Sequence, residues 1–322
     1  MKCAYCGKET KGTKEHIISS AILDLFPECY LTYDGLRKKV YKSDPMIKDV
    51  CAKCNNKRIS YIDSYAKKII SQYFTQKYTD QDTVEIEYNY TMIQKMLLKY
   101  AFNDMRSHKD DYSYFDEEIL HFLMDEKDNV PKKYITVLCG LAVNVSPVPD
   151  ALLGNLKLQW CKDPIIYSNS VIRNIDYETG EIFLNDDVKK LCFDDLKLSY
   201  LFRFNSAQFL LMCWDKCSTK IRKNNIILSF QYPYYLMKLE DKKAKLPVCT
   251  NGFNYHSFGF INAKWDLLFE VDLMRLAAYG GEYKLKEIYE KEWEKEEEKI
   301  KKKIEPKKPK PKTKSISQNL KI

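Results

Sequence analysis

Apolar residues recur at helical spacing in two segments near the start of the chain. Recurrence at intervals of three and four positions places side chains on one face of a helix. Residues 59–74 and 93–105 both show this spacing, and each is predicted to form an amphipathic helix. Residues 83–88, which lie between them, alternate polar and apolar side chains as a half-buried strand does. The apolar helical positions are Ile59, Ile62, Ala66, Ile69, Ile70 and Phe74, then Ile93, Leu97, Tyr100, Ala101 and Met105.

Short apolar runs dominate the middle of the chain and predict strands. They lie at residues 134–145, 165–175, 182–184, 198–213 and 226–232, and residues 178–181 form a turn sequence. Strands that follow helices without regular alternation favour an α+β fold with a largely antiparallel sheet. From residue 265 onward the pattern becomes helical and then highly charged.

These patterns divide the chain into three predicted parts. Residues 1–82 form a small module, residues 83–285 a larger α+β domain, and residues 286–322 a charged helix with a disordered basic tail. We see no nucleophile, acid pair or phosphate loop in residues 83–285. We therefore expect this domain to choose a target, to choose a protein partner or to regulate activity, and we name no site in it.

Composition supports a folded protein outside the membrane. With 45% hydrophobic residues among 322, the chain can bury real cores. No apolar run approaches the length of a membrane helix, and the beginning at Met1 and Lys2 leaves no room for a signal peptide. We therefore expect a cytoplasmic protein without a membrane partner.

The net charge of +8 is concentrated at one end of the chain. Residues 299–322 contain ten lysines and one glutamate, so the rest of the chain is close to neutral. Such a tail favours nonspecific attraction to nucleic-acid phosphate, and it is equally typical of a solubilising terminus.

Four of the eleven cysteines have the spacing of a metal site. Cys3 and Cys6 form one CxxC pair, and Cys51 and Cys54 form a second. Two such pairs supply the four ligands of a tetrahedral zinc site, and a reducing cytosol does not sustain disulfides. A site with four protein ligands has no open position for water, so the zinc is expected to be structural.

Candidate catalytic groups lie beside the cysteines. Glu15 and His16 are adjacent between the two pairs, and Asn55 directly follows the second pair. An imidazole that titrates near neutral pH suits activation of water, and oxygen donors suit Mg²⁺ or Mn²⁺. The alternative for His16 is a hydrogen-bonded, inert side chain at a strand end.

In combination, the cysteine pairs, the Glu15-His16-Ile17 triplet and Asn55 resemble the HNH endonuclease family. The similar branch carries a ββα-metal, treble-clef-like module braced by two CxxC pairs, and the resemblance covers the first quarter of this chain. It implies that His16 is the general base, and that Glu15 and Asn55 hold one catalytic Mg²⁺ or Mn²⁺ at the scissile phosphate.

The chain departs from the family pattern at two positions. Met46 stands where many members carry an asparagine that orients the histidine, so another group must orient His16. The last motif position is Asn55 instead of histidine, with Asn56 and Asp63 as alternative ligands of the catalytic cation.

Basic residues around the motif are candidate phosphate contacts. Residues 1–82 hold fifteen basic and ten acidic side chains. We expect nucleic acid to be bound by Lys14, Lys53, Lys57 and Arg58, with DNA as the favoured target. The function expected from the resemblance is a metal-dependent endonuclease, such as one that defends against mobile DNA. The alternative is a zinc-stapled nucleic-acid-binding protein that has lost catalysis.

Overall fold

The computed structural model describes about three fifths of the chain. The described residues are 1–26, 32–34, 39–41, 44–79, 81–125, 130–142, 165–168, 174–175, 182–183, 195–231 and 234–250. Their helices are α1 (Ser20–Leu23), α2 (Ser60–Tyr73), α3 (Tyr90–His108), α4 (Glu117–Met124) and α5 (Thr219–Gln231), with a π-helical turn at Cys54–Arg58.

Strands outnumber helices in the described residues. In chain order they are β1 (Gly12–His16), β2 (Thr32–Asp34), β3 (Lys39–Tyr41), β4 (Met46–Cys51), β5 (Val84–Glu87), β6 (Tyr134–Ala142), β7 (Ile165–Ser168), β8 (Asn174–Ile175), β9 (Ile182–Phe183), β10 (Leu196–Phe204), β11 (Ala207–Trp214), β12 (Tyr235–Leu236), β13 (Lys243–Leu246) and β14 (Val248–Thr250). Helices together with antiparallel sheets confirm the predicted α+β class.

A two-stranded sheet begins the fold. Strand β1 pairs antiparallel with β4, and the register changes by one residue between Thr13 and Glu15. The segment between these strands contributes a second antiparallel pair, β2 and β3. After β4 the chain enters the π-helical turn and then α2, whose buried Ile62, Ala66 and Ile70 confirm the predicted helix.

Helix α3 is the central helix of this part of the fold. Its N-terminus is capped by the Asn89 side chain, which accepts a hydrogen bond of 3.0 Å from the Met92 amide. It ends at Lys109, whose φ of 63° lies in the left-handed region that stops a helix. Fourteen of its nineteen residues are buried, so α3 is surrounded by protein on nearly every face.

A larger sheet follows, with the strand order β12-β6-β11-β10-β7, and β14 lies parallel beside β6. Its other pairings are antiparallel. The predicted single strand over residues 198–213 is a hairpin of β10 and β11. The chain turns at Asn205, where φ is 51°, and the Asn205 amide donates to the Phe74 carbonyl oxygen at 2.8 Å. A side-chain contact with a residue 131 positions away therefore accompanies the turn in this continuous apolar run.

The predicted strand over residues 226–232 is wrong, because residues 226–231 belong to α5. The helix begins before this run, where the Ser218 hydroxyl accepts a hydrogen bond of 3.2 Å from the Ile221 amide. The run that starts at Ile226 continues that helix despite its β-branched residues. The predicted turn at 178–181, the helical pattern after residue 265 and the basic tail lie outside the described residues.

One hydrophobic core passes through the predicted boundary at residue 82. The same cluster contains Cys54 and Ile70 from the first 82 residues, and Leu97, Phe122 and Phe209 from later elements. The division at residue 82 stays a prediction, and the packing shows that side chains on both sides of it share a core. In the described part of the chain, none of the helices has the length and hydrophobicity needed to cross a bilayer.

Candidate functional site

The four predicted cysteine ligands converge on one point. The sulfur atoms of Cys3, Cys6, Cys51 and Cys54 all lie within 4.8 Å of one another. Sulfurs at the corners of a tetrahedron around zinc, each about 2.3 Å from the metal, would be about 3.8 Å apart. The Cys6 and Cys51 sulfurs are 3.9 Å apart, and these cysteines are free thiols. The cluster can therefore hold a metal ion such as zinc.

Backbone geometry prepares the sulfurs for this role. The Cys51 amide donates to the Cys3 sulfur at 3.3 Å, and the Cys54 amide donates to the Cys51 sulfur at 3.4 Å. The first pair closes on a turn in which Gly7, with φ of 66°, donates to the Cys3 carbonyl oxygen at 2.9 Å. Amide donors that point at sulfur favour the thiolate, which is the form that binds metal.

The thiols differ in how easily they ionise. Burial opposes ionisation of Cys3, but amide hydrogen bonds from Cys51, Cys6 and Tyr5 outweigh it and lower the pKa of Cys3 to about 7. Burial and the neighbouring thiols of Cys51 and Cys6 raise the pKa of Cys54 above its usual value. A bound dication would remove this penalty, because it compensates the negative charges that four close thiolates place on one another.

The fold covers one side of the cluster. Cys54 is 1% exposed, and its sulfur lies 4.0 Å from the Met124 sulfur at the end of α4. The Tyr61 hydroxyl donates to the carbonyl oxygens of Leu123 and Asp125 at 2.9 and 2.8 Å. These contacts fasten α4 against the π-helical turn and α2.

Glu15 points into the protein interior and is 3% exposed. Its Oε1 accepts a hydrogen bond of 3.2 Å from the Asn103 amide and lies 3.5 Å from the Lys99 ammonium. Its Oε2 lies 3.5 Å from the Arg106 guanidinium and accepts no hydrogen bond from a described residue. All three partners belong to α3, so the Glu15 carboxylate contacts that helix through both of its oxygens.

His16 is oriented differently from Glu15, as expected for neighbours in a strand. Its side chain is 29% exposed, and its Nε2 lies 3.5 Å from the Asp44 carboxylate. Met46, which stands at the position of the absent asparagine, is the register partner of His16 on β4. The carboxylate of Asp44 thus offers the orienting contact that Met46 cannot.

Asn55 connects the π-helical turn to β1. Its Nδ2 donates to the Lys14 carbonyl oxygen at 2.9 Å and to the Thr13 hydroxyl at 3.1 Å. Asn55 therefore lies next to the backbone that carries Glu15 and His16. Asn56, one of the alternative ligands, is exposed on the same turn.

Asp63, the other alternative ligand, binds the same ammonium group as Glu15. Its carboxylate oxygens lie 2.6 and 2.7 Å from the Lys99 Nζ, and Oδ1 also accepts from the Tyr100 hydroxyl at 3.3 Å. The structure therefore brings Glu15 and Asp63 together around Lys99. We call these two carboxylates the acidic centre.

The predicted phosphate contacts divide into two groups. Lys14, Lys53 and Lys57 are exposed and form no ion pair with another described residue. Lys14 lies on β1, and Lys53 and Lys57 lie on the segment around the π-helical turn. The Asn55 side chain connects these two elements, and we call the three lysines the lysine surface. Arg58 instead lines a cavity of about 490 Å³ with His121 and Glu118 of α4.

The acidic centre does not fit a divalent cation as it stands. Magnesium and manganese need carboxylate oxygens that are free to coordinate. The Glu15 oxygens instead face the Lys99 ammonium and the Arg106 guanidinium, and the Asp63 carboxylate is held by Lys99. Among the described residues, the cysteine cluster is the one group of histidine, cysteine and acidic side chains that could hold a metal ion.

The contribution of α3 was not predicted from the sequence. Lys99, Asn103 and Arg106 recur at intervals of four and three within a helix whose other residues are largely apolar, and all three are buried. Polar residues that share one face of a buried helix must find partners. That spacing was a usable signal, but it did not identify Glu15 as the partner.

Comparison with known proteins gave no relative from which a role could be transferred. No protein-family model, curated protein or solved structure matches this chain.

Proposed function

We propose that this chain is a zinc-stapled protein that binds nucleic acid through the lysine surface, with DNA as the favoured target. The observation that carries the proposal is the hydrogen bond from Asn55 to the Lys14 carbonyl oxygen. It joins β1 to the π-helical turn and so places exposed ammonium groups on adjoining elements. The order of β1, β4 and a following helix around the cysteine cluster also agrees with the ββα-metal module that the resemblance implies.

The binding energy of such a surface comes mainly from phosphate contacts. Each contact releases counterions from the duplex and adds about 0.9 to the slope of log affinity against log salt concentration. Three ammonium groups that contact phosphate would account for a slope of about 2.7. The contacts read no bases, so this part of the affinity is independent of sequence.

A salt titration tests the proposal. We would measure the anisotropy of a labelled DNA duplex at several NaCl concentrations with the parent and a Lys14→Gln, Lys53→Gln, Lys57→Gln variant. The matched control changes three exposed lysines near α5, which are Lys216, Lys220 and Lys223. We expect a shallower slope, by about 2.7, in the first variant only. Equal slopes in the two variants would show that the lysine surface does not bind DNA.

Phosphodiester hydrolysis is a second candidate function, and the His16 geometry favours it. A partly exposed imidazole with a carboxylate 3.5 Å from one ring nitrogen resembles a general base held by an orienting acid. In this interpretation His16 takes a proton from the water that attacks a phosphate held by the lysine surface. On the basis of this His16 geometry, an HNH-type endonuclease is the second function that we propose.

Plasmid nicking separates the two candidates. The parent, His16→Ala and the control His121→Ala would be incubated with supercoiled plasmid and Mg²⁺ or Mn²⁺. His121 is a suitable control because its side chain is 67% exposed and lies on α4. Hydrolysis by His16 predicts nicking that is lost in the His16 variant alone. Retention of DNA without nicking under either metal would leave binding as the function.

A further inference from the structure

The positive charge beside the acidic centre comes from side chains of the protein itself. Helix α3 presents Lys95, Lys99, Asn103 and Arg106 on adjacent turns of one face. Lys95 and Lys99 are 0% and 2% exposed. Lysine is almost never buried to this extent unless it is paired. The burial of these residues therefore depends on what faces them.

The two lysines have different partners. Lys99 contacts two carboxylates, at 2.6 Å from Asp63 and 3.5 Å from Glu15. Lys95 donates to the carbonyl oxygen of Asp125, and its ammonium lies 4.9 Å from the centre of the Phe122 ring. Of the two, Lys99 is the one that lies against the acidic centre.

Arg106 completes the charge balance. It forms ion pairs with Glu15 and with Asp49 on β4, and it donates to the side-chain Oδ1 of Asn103. Burial works against the guanidinium charge, but the Glu15 and Asp49 carboxylates help to raise the pKa of Arg106 above its usual value. Three carboxylates thus share two cations, which leaves little negative charge to attract a metal ion.

We infer that the Lys99 ammonium is the resident cation of the acidic centre, and that Glu15 ties β1 to α3 instead of binding a divalent cation. A dication beside Glu15 would have to displace Lys99 or lie near two positive groups at low local dielectric. The inference concerns the interior of the protein and is independent of what the lysine surface binds.

Manganese binding tests this inference directly. We would titrate Mn²⁺ into the zinc-loaded parent, Glu15→Gln and Asp63→Asn, and follow free Mn²⁺ by electron paramagnetic resonance. We expect the same binding curve for all three proteins. A site present in the parent and lost in Glu15→Gln would overturn the inference. Asp63, whose side chain is 24% exposed, gives a second variant whose folding depends less on a buried charge.

Removal of the ammonium should create the metal site. In Lys99→Met the two carboxylates lose their shared cation, and we expect one new Mn²⁺ site together with a rise in Tm when Mn²⁺ is added. The same site should be absent from the Lys99→Met, Glu15→Gln double variant. Lys95→Met is the matched control, because it removes a buried ammonium from the same helix face but leaves the ion pairs of Glu15 and Asp63 with Lys99 in place. A folded Lys99→Met that binds no more Mn²⁺ than Lys95→Met would contradict the inference.

The outcome also stays separate from the proposed function. Loss of Mn²⁺ binding and of plasmid nicking in Glu15→Gln would support hydrolysis while overturning the resident-cation inference. Unchanged Mn²⁺ binding alongside a normal salt slope would support both the inference and the binding proposal.

Discussion

Loss of one cysteine from the cluster should destabilise the protein far more than loss of an exposed cysteine. The perturbation is Cys54→Ala, at a sulfur that is 1% exposed and lies within 4.8 Å of the three other sulfurs. Zinc binding by a four-ligand site contributes roughly 10–16 kcal/mol to folding. An equal share for one thiolate is about 3 kcal/mol. For a cooperatively folded unit of about 150–250 residues, that loss corresponds to a Tm decrease of about 6–12 °C.

The assay combines metal content with thermal unfolding. Protein purified in parallel would be measured by elemental analysis for zinc and by circular dichroism for Tm. Cys217→Ala is the matched control, because it makes the same change at an exposed thiol. We expect zinc and Tm to decrease in Cys54→Ala and to stay at parent values in Cys217→Ala. Full zinc content and an unchanged Tm in Cys54→Ala would refute the four-sulfur site.

Three further predictions concern stability elsewhere. Asn55→Ala removes the side-chain hydrogen bonds to β1, and we expect urea unfolding to show a free energy of unfolding that is lower by about 1 kcal/mol, with an unchanged free energy as the contradicting result. Asp116→Asn keeps the cap of α4 but removes the ion pair with Lys133. Burial opposes ionisation of Asp116, yet Lys133 and amide hydrogen bonds lower its pKa. The pair therefore stabilises above the unfolded pKa of about 3.9 and is lost as pH falls through the lower folded pKa. Urea unfolding should show a deficit of about 0.5 kcal/mol at neutral pH that disappears in acid, and a constant deficit would contradict this account. Gly140→Ala would bring a methyl group within 2.7 Å of the Cys249 sulfur, so thermal unfolding should show a loss of roughly 1–3 kcal/mol, and an unchanged Tm would contradict it.

The parts of the fold that were predictable depend on local periodicity. The α2 and α3 patterns contain enough apolar residues at helical spacing to specify both the helix and its buried face. The CxxC spacing likewise limits where two sulfurs can point, and the cluster formed as predicted. The turn at Asn205 and the helix begun at Ser218 are accompanied by side-chain hydrogen bonds, and the hydrophobic periodicity carries no information about them.

The environment of Glu15 was not predictable for a different reason. Its partners Lys99 and Arg106 lie more than eighty positions away in the sequence. Motif spacing indicates which residues are near one another along the chain, but it carries no information about which later helix will cover them. Glu15 and His16 were expected to serve one site, whereas strand geometry gives the first to the interior and the second to a partly exposed position.

The shared core across residue 82 has a consequence for how the protein can be handled and for how it could evolve. A fragment ending at that position would expose the apolar side of α2 to water. It would also leave the Glu15 carboxylate buried without the positive charges of Lys99 and Arg106. The cysteine-bearing segment is thus a poor candidate for transplantation as an independent cassette. Residues on α3 and α4 must change in step with it, because they supply part of its interior.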